Sequence, residues 1–208
     1  MAQGFDDAQA FWDARYNATE YVFGTDPNVF LASQAALFKA GQRVLDIACG
    51  EGRNSVWLAQ RGCDVVGIDV SPLALKKARG LAENRGVKAE FRHADVRAWQ
   101  WIADSFDAVV CIFIQFAAPS ERSGLFKGIE TALASGGIVV LQGYTPKQVE
   151  YKTGGPPDAA HMYTLEMLEQ AFAGLQIVHL REHEDTLAEG TKHVGRSALI
   201  DLVARKPA

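Results

Sequence analysis

The sequence predicts an α/β fold, with a mostly parallel, doubly wound sheet, helices on both of its faces, and an antiparallel hairpin at its C-terminal end. Between residues 43 and 141, short runs rich in β-branched residues alternate with segments of helical spacing. This alternation is typical of parallel strands joined by right-handed crossovers. Nearer the C-terminus, two extended segments are joined by a connection too short for a parallel return. No linker rich in Ser and Gly divides the 208 residues, so a single domain is predicted.

Five apolar runs bounded by turn residues have the length of buried strands. They are Arg43–Ile47, Asp64–Ile68, Ala89–Arg92, Phe106–Phe113 and Gly137–Leu141. Helical spacing between them predicts three helices that stop at Gly62, Gly86 and Gly136, since glycine commonly follows the last turn of a helix. A fourth helix is predicted at Thr164–Phe172. The C-terminal hairpin then pairs two strands, Leu175–Thr186 and Ser197–Lys206.

The composition argues against several classes of partner and site. A net charge of −4 offers no general attraction to nucleic-acid phosphates or anionic lipids, so neither is expected to bind. Cys49, Cys63 and Cys111 are widely spaced and form no CxxC pair, so neither a disulfide framework nor a metal site is predicted. The N-terminus lacks a signal-peptide pattern, and the longest apolar run, residues 106–118, is too short for a spanning helix. A cytoplasmic protein is predicted.

A loop with two glycines follows the first predicted strand, in the stretch VLDIACGEGRN. Ligands of open parallel sheets bind beyond the carboxyl ends of the strands, which is where this loop lies. Gly50 and Gly52 let the backbone approach a ligand closely, and the helix that starts near Arg53 presents free N–H groups. A simple tight turn would also explain these two glycines if the loop stood alone.

Aspartates end three successive strands beside this loop. Asp69 ends the second predicted strand, 23 positions after Asp46, and Asp95 ends the third. A spacing of about 20 residues is that at which a carboxylate meets the ribose hydroxyls in nucleotide-binding sheets. A single aspartate at a strand end is usually a cap, but three beside one glycine loop indicate a nucleotide site.

The same stretch favours a cationic ligand over a dinucleotide. A dinucleotide fingerprint, GxGxxG, has glycine at its sixth position, where this chain has Ser55. The carboxylate of Asp46 would repel a pyrophosphate but attract an ammonium group. S-adenosylmethionine, whose methionine end carries an ammonium and a sulfonium, fits this arrangement better than a nicotinamide dinucleotide.

The series VLDIACGEGRNSVWLAQRGCDVVGIDVSPLALKKAR, FRHADV and FDAVVCIF resembles the motifs of class I S-adenosylmethionine-dependent methyltransferases over residues 41–141. The resemblance implies a Rossmann-like, seven-stranded sheet that ends in the antiparallel hairpin. In this series Ala48 replaces the first loop glycine of the family. The resemblance divides the single domain into an N-terminal lid region (1–40), a cofactor-binding core (41–141) and an acceptor-side region (142–208).

The resemblance assigns the cofactor contacts residue by residue. It implies that the methionine end lies on Asp46, Ala48, Cys49 and Gly50, and Asn54 is a further predicted cofactor contact. Asp69 takes the ribose hydroxyls, and Cys111 and Ile112 flank the sulfonium. The adenine is expected to lie against Val70, Ser71, Asp95 and Val96. Cys49 is interpreted as a small residue beside the cofactor, because no histidine or lysine lies near it in sequence to activate its thiol.

The two ends of the chain resemble a subgroup related to tellurite-resistance and thiol methyltransferases. In such enzymes the N-terminal segment forms a lid over the cofactor, which implies cofactor contacts for Arg15, Tyr16 and Tyr21 and a place in the acceptor pocket for Phe23. A histidine with a nearby arginine in the C-terminal hairpin reaches the acceptor pocket, which matches His193 and Arg196 as candidate catalytic residues. An exposed turn histidine is the alternative. Further acceptor-pocket candidates are Gln115, Phe116, Tyr151 and Tyr163.

The predicted reaction is methyl transfer from S-adenosylmethionine to a soft or anionic small molecule, either a chalcogen oxyanion or a thiol, with S-adenosylhomocysteine as product. Two alternatives stay open: an NAD-dependent oxidoreductase, and a non-catalytic module that binds S-adenosylmethionine and regulates a partner. The protein is expected to be a monomer or a homodimer.

Overall fold

The computed structural model describes residues 5–208, which are organised by a single seven-stranded sheet. The strands are β1 (Arg43–Ile47), β2 (Asp64–Asp69), β3 (Glu90–His93), β4 (Phe106–Ile112), β5 (Leu133–Tyr144), β6 (Gln176–Glu189) and β7 (His193–Arg205). Their order is β3-β2-β1-β4-β5-β7-β6. The predicted α/β fold, with a mostly parallel sheet and antiparallel C-terminal strands, is confirmed.

Seven α-helices accompany the sheet in the described part of the chain. They are α1 (Phe5–Tyr16), α2 (Val29–Ser33), α3 (Arg53–Gln60), α4 (Pro72–Asn84), α5 (Pro119–Ala132), α6 (Gln148–Tyr151) and α7 (Leu165–Ala171). None of the helices within residues 5–208 is both long and apolar enough to cross a membrane.

The chain divides into two compact units. The first contains the residues up to Trp99 together with Glu189–Thr191, and the second contains Gln100–Ala188 and Lys192–Ala208. The division into a lid, a core and an acceptor-side region stays a prediction.

In the first unit, β1, β2 and β3 pair in parallel, with Ile47 opposite Ile68 at the carboxyl end of β1. Helix α4 begins with Pro72 in its first turn, where a missing N–H costs nothing. The hydroxyl of Ser71 caps this helix by accepting the N–H of Ala74 at 3.1 Å. Because the strands are parallel, the loop after β1 and Asp69 at the end of β2 lie at the same edge of the sheet.

In the second unit, β5 pairs in parallel with β4 and antiparallel with β7. The fifth strand begins at Leu133 rather than at the predicted Gly137, directly after α5. Leu133 is fully buried and pairs with Phe106, so an apolar contact holds this early segment in the sheet. The register then shifts, and Gly136 takes a φ of 75° in the interruption, which hid the true start of the strand in the sequence.

Candidate functional site

The loop that joins β1 to α3 (residues 48–52) contains three residues with positive φ: Ala48 at 51°, Gly50 at 55° and Gly52 at 85°. Gly52 precedes α3, and a Cβ added there would lie 2.7 Å from the Cβ of Ala78 on α4. Glycine is therefore required for the close packing of the two helices. Ala48 adopts the left-handed conformation with a side chain, at a cost of about 1 kcal/mol.

Asp46 lies on β1 directly before this loop and is 1% exposed. The hydroxyl of Ser55, on α3, donates to its Oδ2 at 2.5 Å. Burial raises the pKa of Asp46 to about 7, although the hydrogen bond from Ser55 and the charge of Arg53 oppose this. Ser55, which marked the departure from a dinucleotide fingerprint, thus fixes the carboxyl group of Asp46 at the end of the strand.

Asp69 ends β2 and is also buried. Its Oδ2 accepts the N–H of Gly50 at 2.8 Å, and its Oδ1 accepts the N–H of Ser71 at 2.8 Å. Burial raises its pKa to about 6, although both backbone hydrogen bonds act in the opposite direction. The structure brings Asp46, Asp69 and the glycine loop together at one edge of the sheet, as the sequence predicts.

Residues 12–23 pack on the glycine loop. Tyr16 is buried, and its hydroxyl lies 2.8 Å from where a Cβ on Gly50 would be. Burial raises the pKa of Tyr16, and the nearby carboxylate of Asp69 adds to this. The ring of Tyr16 stacks on Trp12 at 5.7 Å and meets Phe23 edge to face at 6.1 Å. Two of the predicted lid residues, Tyr16 and Phe23, are therefore side by side.

The other two predicted lid residues contact α4 and α1. Tyr21 donates its hydroxyl to the carbonyl of Lys77 on α4 at 3.1 Å. Arg15 is exposed, and its guanidinium lies 5.5 Å from the ring centres of Phe11 and Trp12. Neither of these contacts joins them directly to the strand-end carboxylates.

Glu51, a loop residue that the sequence analysis did not single out, holds the segment after α1. Its buried carboxylate accepts the N–H of Val22 at 2.7 Å and that of Phe23 at 3.4 Å. Lys77 pairs with the same carboxylate at 2.6 Å and donates to the carbonyl of Glu20 at 2.7 Å. No local pattern marks Glu51, because these partners lie 26 to 29 positions away in sequence.

Asn54 and Arg53 also contact distant segments of the first unit. The side-chain oxygen of Asn54 accepts the N–H of Asn28 at 2.9 Å. Arg53 donates to Glu189, the last residue of β6, at 2.7 Å, and both side chains are buried. In the structure the side chain of Asn54 is hydrogen-bonded to Asn28, and its contact with the cofactor stays a prediction.

The residues predicted to contact the adenine differ in burial and in their hydrogen-bond partners. Asp95 caps the short 3₁₀ turn at Val96–Ala98 and pairs with Arg97 at 2.5 Å. Burial alone would raise the pKa of Asp95, but the hydrogen bonds from Arg97 outweigh it and hold this pKa below its usual value. Val96 is buried, and the carbonyl of Val70 lies 3.0 Å from Nε2 of His93.

Cys49 is buried beside Ser55, and burial together with two nearby carboxylates raises its pKa well above the usual thiol value. A thiol in this state is protonated and unreactive near neutral pH. Cys49 therefore has the environment expected of a small packing residue.

In the second unit, β4 leads into an aromatic cluster. Cys111 and Ile112 are buried at its end, and Phe113 follows with a φ of 56°. The ring of Phe113 stacks on Tyr144 at 4.8 Å, and His193 contacts Phe113 at 4.4 Å between ring centres. A bulky residue with positive φ is uncommon, and such strain is concentrated at functional sites.

Gln115 and Tyr163 have buried hydrogen bonds to backbone groups of this unit. The side-chain amide of Gln115 donates to the carbonyl of Tyr144 at 2.8 Å and accepts its N–H at 2.6 Å. Tyr163 is 1% exposed and its pKa is raised by burial, while Phe116 is half-buried. The amide of Gln115 is thus used to hold the end of β5.

Arg196 and Tyr151 lie together at the surface. The guanidinium of Arg196 pairs with Glu184 at 2.6 Å and lies 5.0 Å from the ring centre of Tyr151. Exposed ion pairs of this kind contribute little to stability. His193 and Arg196 have different neighbours, and their catalytic roles stay predictions.

Comparisons with known proteins agree with this arrangement. Residues 44–137 match a family model described as a methyltransferase domain. The demethylmenaquinone methyltransferase of Thermus thermophilus is 36% identical over 117 residues, which cover 55% of this chain and 53% of that protein. The chain spans about half the length of the curated relatives it matches.

Two solved structures share the fold. TehB from Haemophilus influenzae has a TM-score of 0.69 at 17% identity, covering 96% of this chain and 67% of TehB. The N-methyltransferase NodS from Bradyrhizobium japonicum WM9, in complex with S-adenosyl-L-homocysteine, has a TM-score of 0.71 at 16% identity, covering 97% and 99% of the two chains. The predicted tellurite-resistance subgroup stays a prediction, because identities this low show the fold alone. Residues 44–137 of this chain are therefore similar to the domains of class I S-adenosylmethionine-dependent methyltransferases, with S-adenosylmethionine as the cofactor.

Proposed function

We propose that this protein transfers the methyl group of S-adenosylmethionine to a small-molecule acceptor. The observation that carries the proposal is the pair of buried carboxyl groups, Asp46 and Asp69, at the carboxyl ends of adjacent parallel strands with the glycine loop beside them. Ligands of such sheets bind at this edge. The acceptor, the catalytic residues and a cytoplasmic location are part of the proposal.

The residues present fit the cofactor. Asp46 is held by Ser55 and lies in a buried environment that disfavours its charge, so a bound ammonium or sulfonium would stabilise its ionised form. The carboxylate of Asp69 accepts the backbone N–H groups of Gly50 and Ser71 and, with about four lone-pair sites, can also accept a ribose hydroxyl. A pyrophosphate placed near Asp46 would instead meet a like charge, which counts against a nicotinamide dinucleotide.

Within this proposal, Asp46 and the loop residues Ala48, Cys49 and Gly50 orient the methionine end. Asp69 orients the ribose, and Val70, Ser71 and Val96 contact the adenine. When bound, S-adenosylmethionine supplies an electrophilic methyl carbon. Tyr16 and Phe23 exclude water from the loop side, which is the usual contribution of a lid.

For the acceptor we propose a thiol or another soft, anionic nucleophile. The aromatic cluster of Phe113, Tyr144 and His193 supports this, because it offers polarizable ring surfaces beside a group that can take a proton. In the proposed step, His193 accepts the proton of the thiol. The thiolate would then take up the methyl group that bound S-adenosylmethionine supplies, with a methyl thioether and S-adenosylhomocysteine as the products.

Calorimetry with S-adenosylmethionine, S-adenosylhomocysteine and NADH tests the cofactor part of the proposal. We expect the first two to bind, and Asp69→Ala to weaken binding roughly tenfold or more, the size of a lost charged hydrogen bond. Asp64→Ala is the matched control, because Asp64 is an exposed aspartate at the other end of β2. Binding of NADH in place of the two sulfur compounds would refute the proposal.

Turnover with thiols and chalcogen oxyanions tests the acceptor part. His193→Ala is expected to lower turnover and to leave the affinity for S-adenosylhomocysteine unchanged. Tight cofactor binding with no methyl transfer to any acceptor would instead favour a non-catalytic regulatory module.

A further inference from the structure

Glu189, the last residue of β6, is a buried carboxylate that accepts hydrogen bonds from three donors of the first unit. Arg53 donates from Nη2 at 2.7 Å, the side chain of Asn28 from Nδ2 at 2.9 Å, and the backbone N–H of Val29 at 3.3 Å. The side chains of Arg53 and Glu189 are 9% and 5% exposed. Both partners of such a buried pair are needed, because removing one of them leaves the charge of the other buried and uncompensated.

The donors belong to two segments, the start of α3 directly after the glycine loop and residues 28 and 29. Arg53 is the first residue of α3 and directly follows Gly52. Asn28 caps α2, where its side-chain oxygen accepts the N–H of Leu31 at 3.0 Å. The N–H of Asn28 in turn donates to the side chain of Asn54, on the first turn of α3. Arg53, Glu189, Asn28 and Asn54 therefore form a closed ring of contacts that joins the loop to residues 28 and 29.

A second set of contacts fixes the segment just before. The N–H of Thr191 donates to the carbonyl of Val22 at 2.8 Å, while the N–H of Val22 donates to Glu51 of the glycine loop at 2.7 Å. At Gly190 an added Cβ would lie 2.4 Å from the backbone nitrogen of Gly24, so the two backbones touch. Residues 22–24 thus lie between the glycine loop and residues 189–191.

We infer that Glu189 is a positioning residue for cofactor binding, whose single carboxylate holds the start of α3 and residues 28 and 29 in one arrangement around the glycine loop. The inference rests on the proposed function. Glu189 acts through Arg53 and Asn28, and no contact between it and the cofactor is invoked. If the ring of contacts opens, only a fraction of molecules has the binding arrangement, and the apparent affinity falls by that fraction.

Glu189→Gln is the informative variant, because it keeps the shape of the side chain and removes its charge. A glutamine can still accept from Asn28, but it leaves the guanidinium of Arg53 buried without its counter-charge. Asp185→Asn is the matched control, since Asp185 is an exposed acidic residue on the same strand. Arg53→Lys is the conservative variant, because it keeps the charge opposite Glu189 and loses the planar fork.

Two measurements test the inference. In the calorimeter, Glu189→Gln is expected to raise the dissociation constant of S-adenosylhomocysteine roughly tenfold, Arg53→Lys by a smaller factor, and Asp185→Asn not at all. Without ligand, trypsin is expected to cleave after the exposed Arg15 roughly fivefold faster in Glu189→Gln than in the unaltered protein or in Asp185→Asn, because the segment that follows is released more often.

The outcomes separate this inference from the proposed function. If the unaltered protein binds no S-adenosylhomocysteine, the proposed function and the inferred effect on affinity both fail, and the cleavage rates alone decide whether Glu189 holds the N-terminal segment. If the unaltered protein binds and Glu189→Gln binds equally well, the proposed function stands and the inference is overturned. If Glu189→Gln does not fold, unchanged affinity in Arg53→Lys with unchanged cleavage overturns it.

Discussion

Replacing Asp46 by asparagine removes a buried charge from the candidate site while keeping the size of the side chain. Burial raises the pKa of this carboxyl to about 7, against an ordinary value of 3.8. As the pH rises from about 4 to 7, the unfolded chain releases its proton first, so the free energy of unfolding falls over that interval. The asparagine side chain has no such proton, so the variant escapes this loss.

The size of the effect follows from the same two pKa values. Ionisation of Asp46 costs about 2 kcal/mol of stability at pH 5 and between about 4 and 5 kcal/mol at pH 8, from 1.36 kcal/mol per pH unit between the two values. The difference, about 3 kcal/mol, is independent of how well the asparagine packs, because packing contributes equally at both pH values. Relative to the unaltered protein, Asp46→Asn should therefore gain about 3 kcal/mol between pH 5 and pH 8.

Urea unfolding of both proteins at pH 5 and pH 8 measures this gain in stability. Calorimetry with S-adenosylmethionine at pH 8 measures the affinity for the cofactor. We expect weaker binding of the cationic cofactor by the more stable variant, which is the usual trade of stability against function at a site. A stability difference between the two proteins that stays the same at both pH values would refute the reasoning about Asp46.

Three further substitutions test the backbone and hydrogen bonds of the two units by urea unfolding. Ala48→Gly should stabilise the protein by about 1 kcal/mol, because Ala48 has a φ of 51° that glycine adopts without strain, and no change would mean that the loop relaxes. Gly52→Ala should lower the free energy of unfolding by about 3 kcal/mol, since the added Cβ would lie 2.7 Å from a side chain of α4. Gly80→Ala is the control, because the added Cβ on that helix meets no other atom and should not destabilise the protein. Gln115→Met should lower the free energy of unfolding by roughly 2 to 3 kcal/mol, because it removes both side-chain hydrogen bonds to the Tyr144 backbone. An unchanged free energy of unfolding would mean that these bonds are not needed for stability, which would favour the acceptor role of Gln115.

The fold was predictable because its strands are short apolar runs between turn residues. The bounds of β1 match the prediction residue for residue, and β2 and β4 differ from it by one residue at one end. The start of β5 was not predictable, because the two glycines at positions 136 and 137 look like the end of a helix. In the structure the buried side chain of Leu133 keeps that segment in the sheet despite them.

The site was predictable only where its residues follow strands. Asp46 and Asp69 are recognisable in the sequence because a charged residue at the end of an apolar strand is expected to have a structural or binding role. Glu51, Arg53 and Glu189 were missed, since their partners lie 26 to 161 positions away and no local spacing indicates such contacts. In the sequence, charged residues of this kind cannot be distinguished from solvent-exposed ones. Only the fold shows that they are buried.

The most direct test of the central claim is the fate of a labelled methyl group. Purified protein is incubated with S-adenosylmethionine labelled at the methyl carbon and with a panel of thiols and chalcogen oxyanions, and the label is followed by chromatography. We expect label to appear in a small methylated product, together with S-adenosylhomocysteine, and Asp69→Ala to form far less of both. Label that stays entirely in S-adenosylmethionine, although the cofactor is bound, would contradict this expectation.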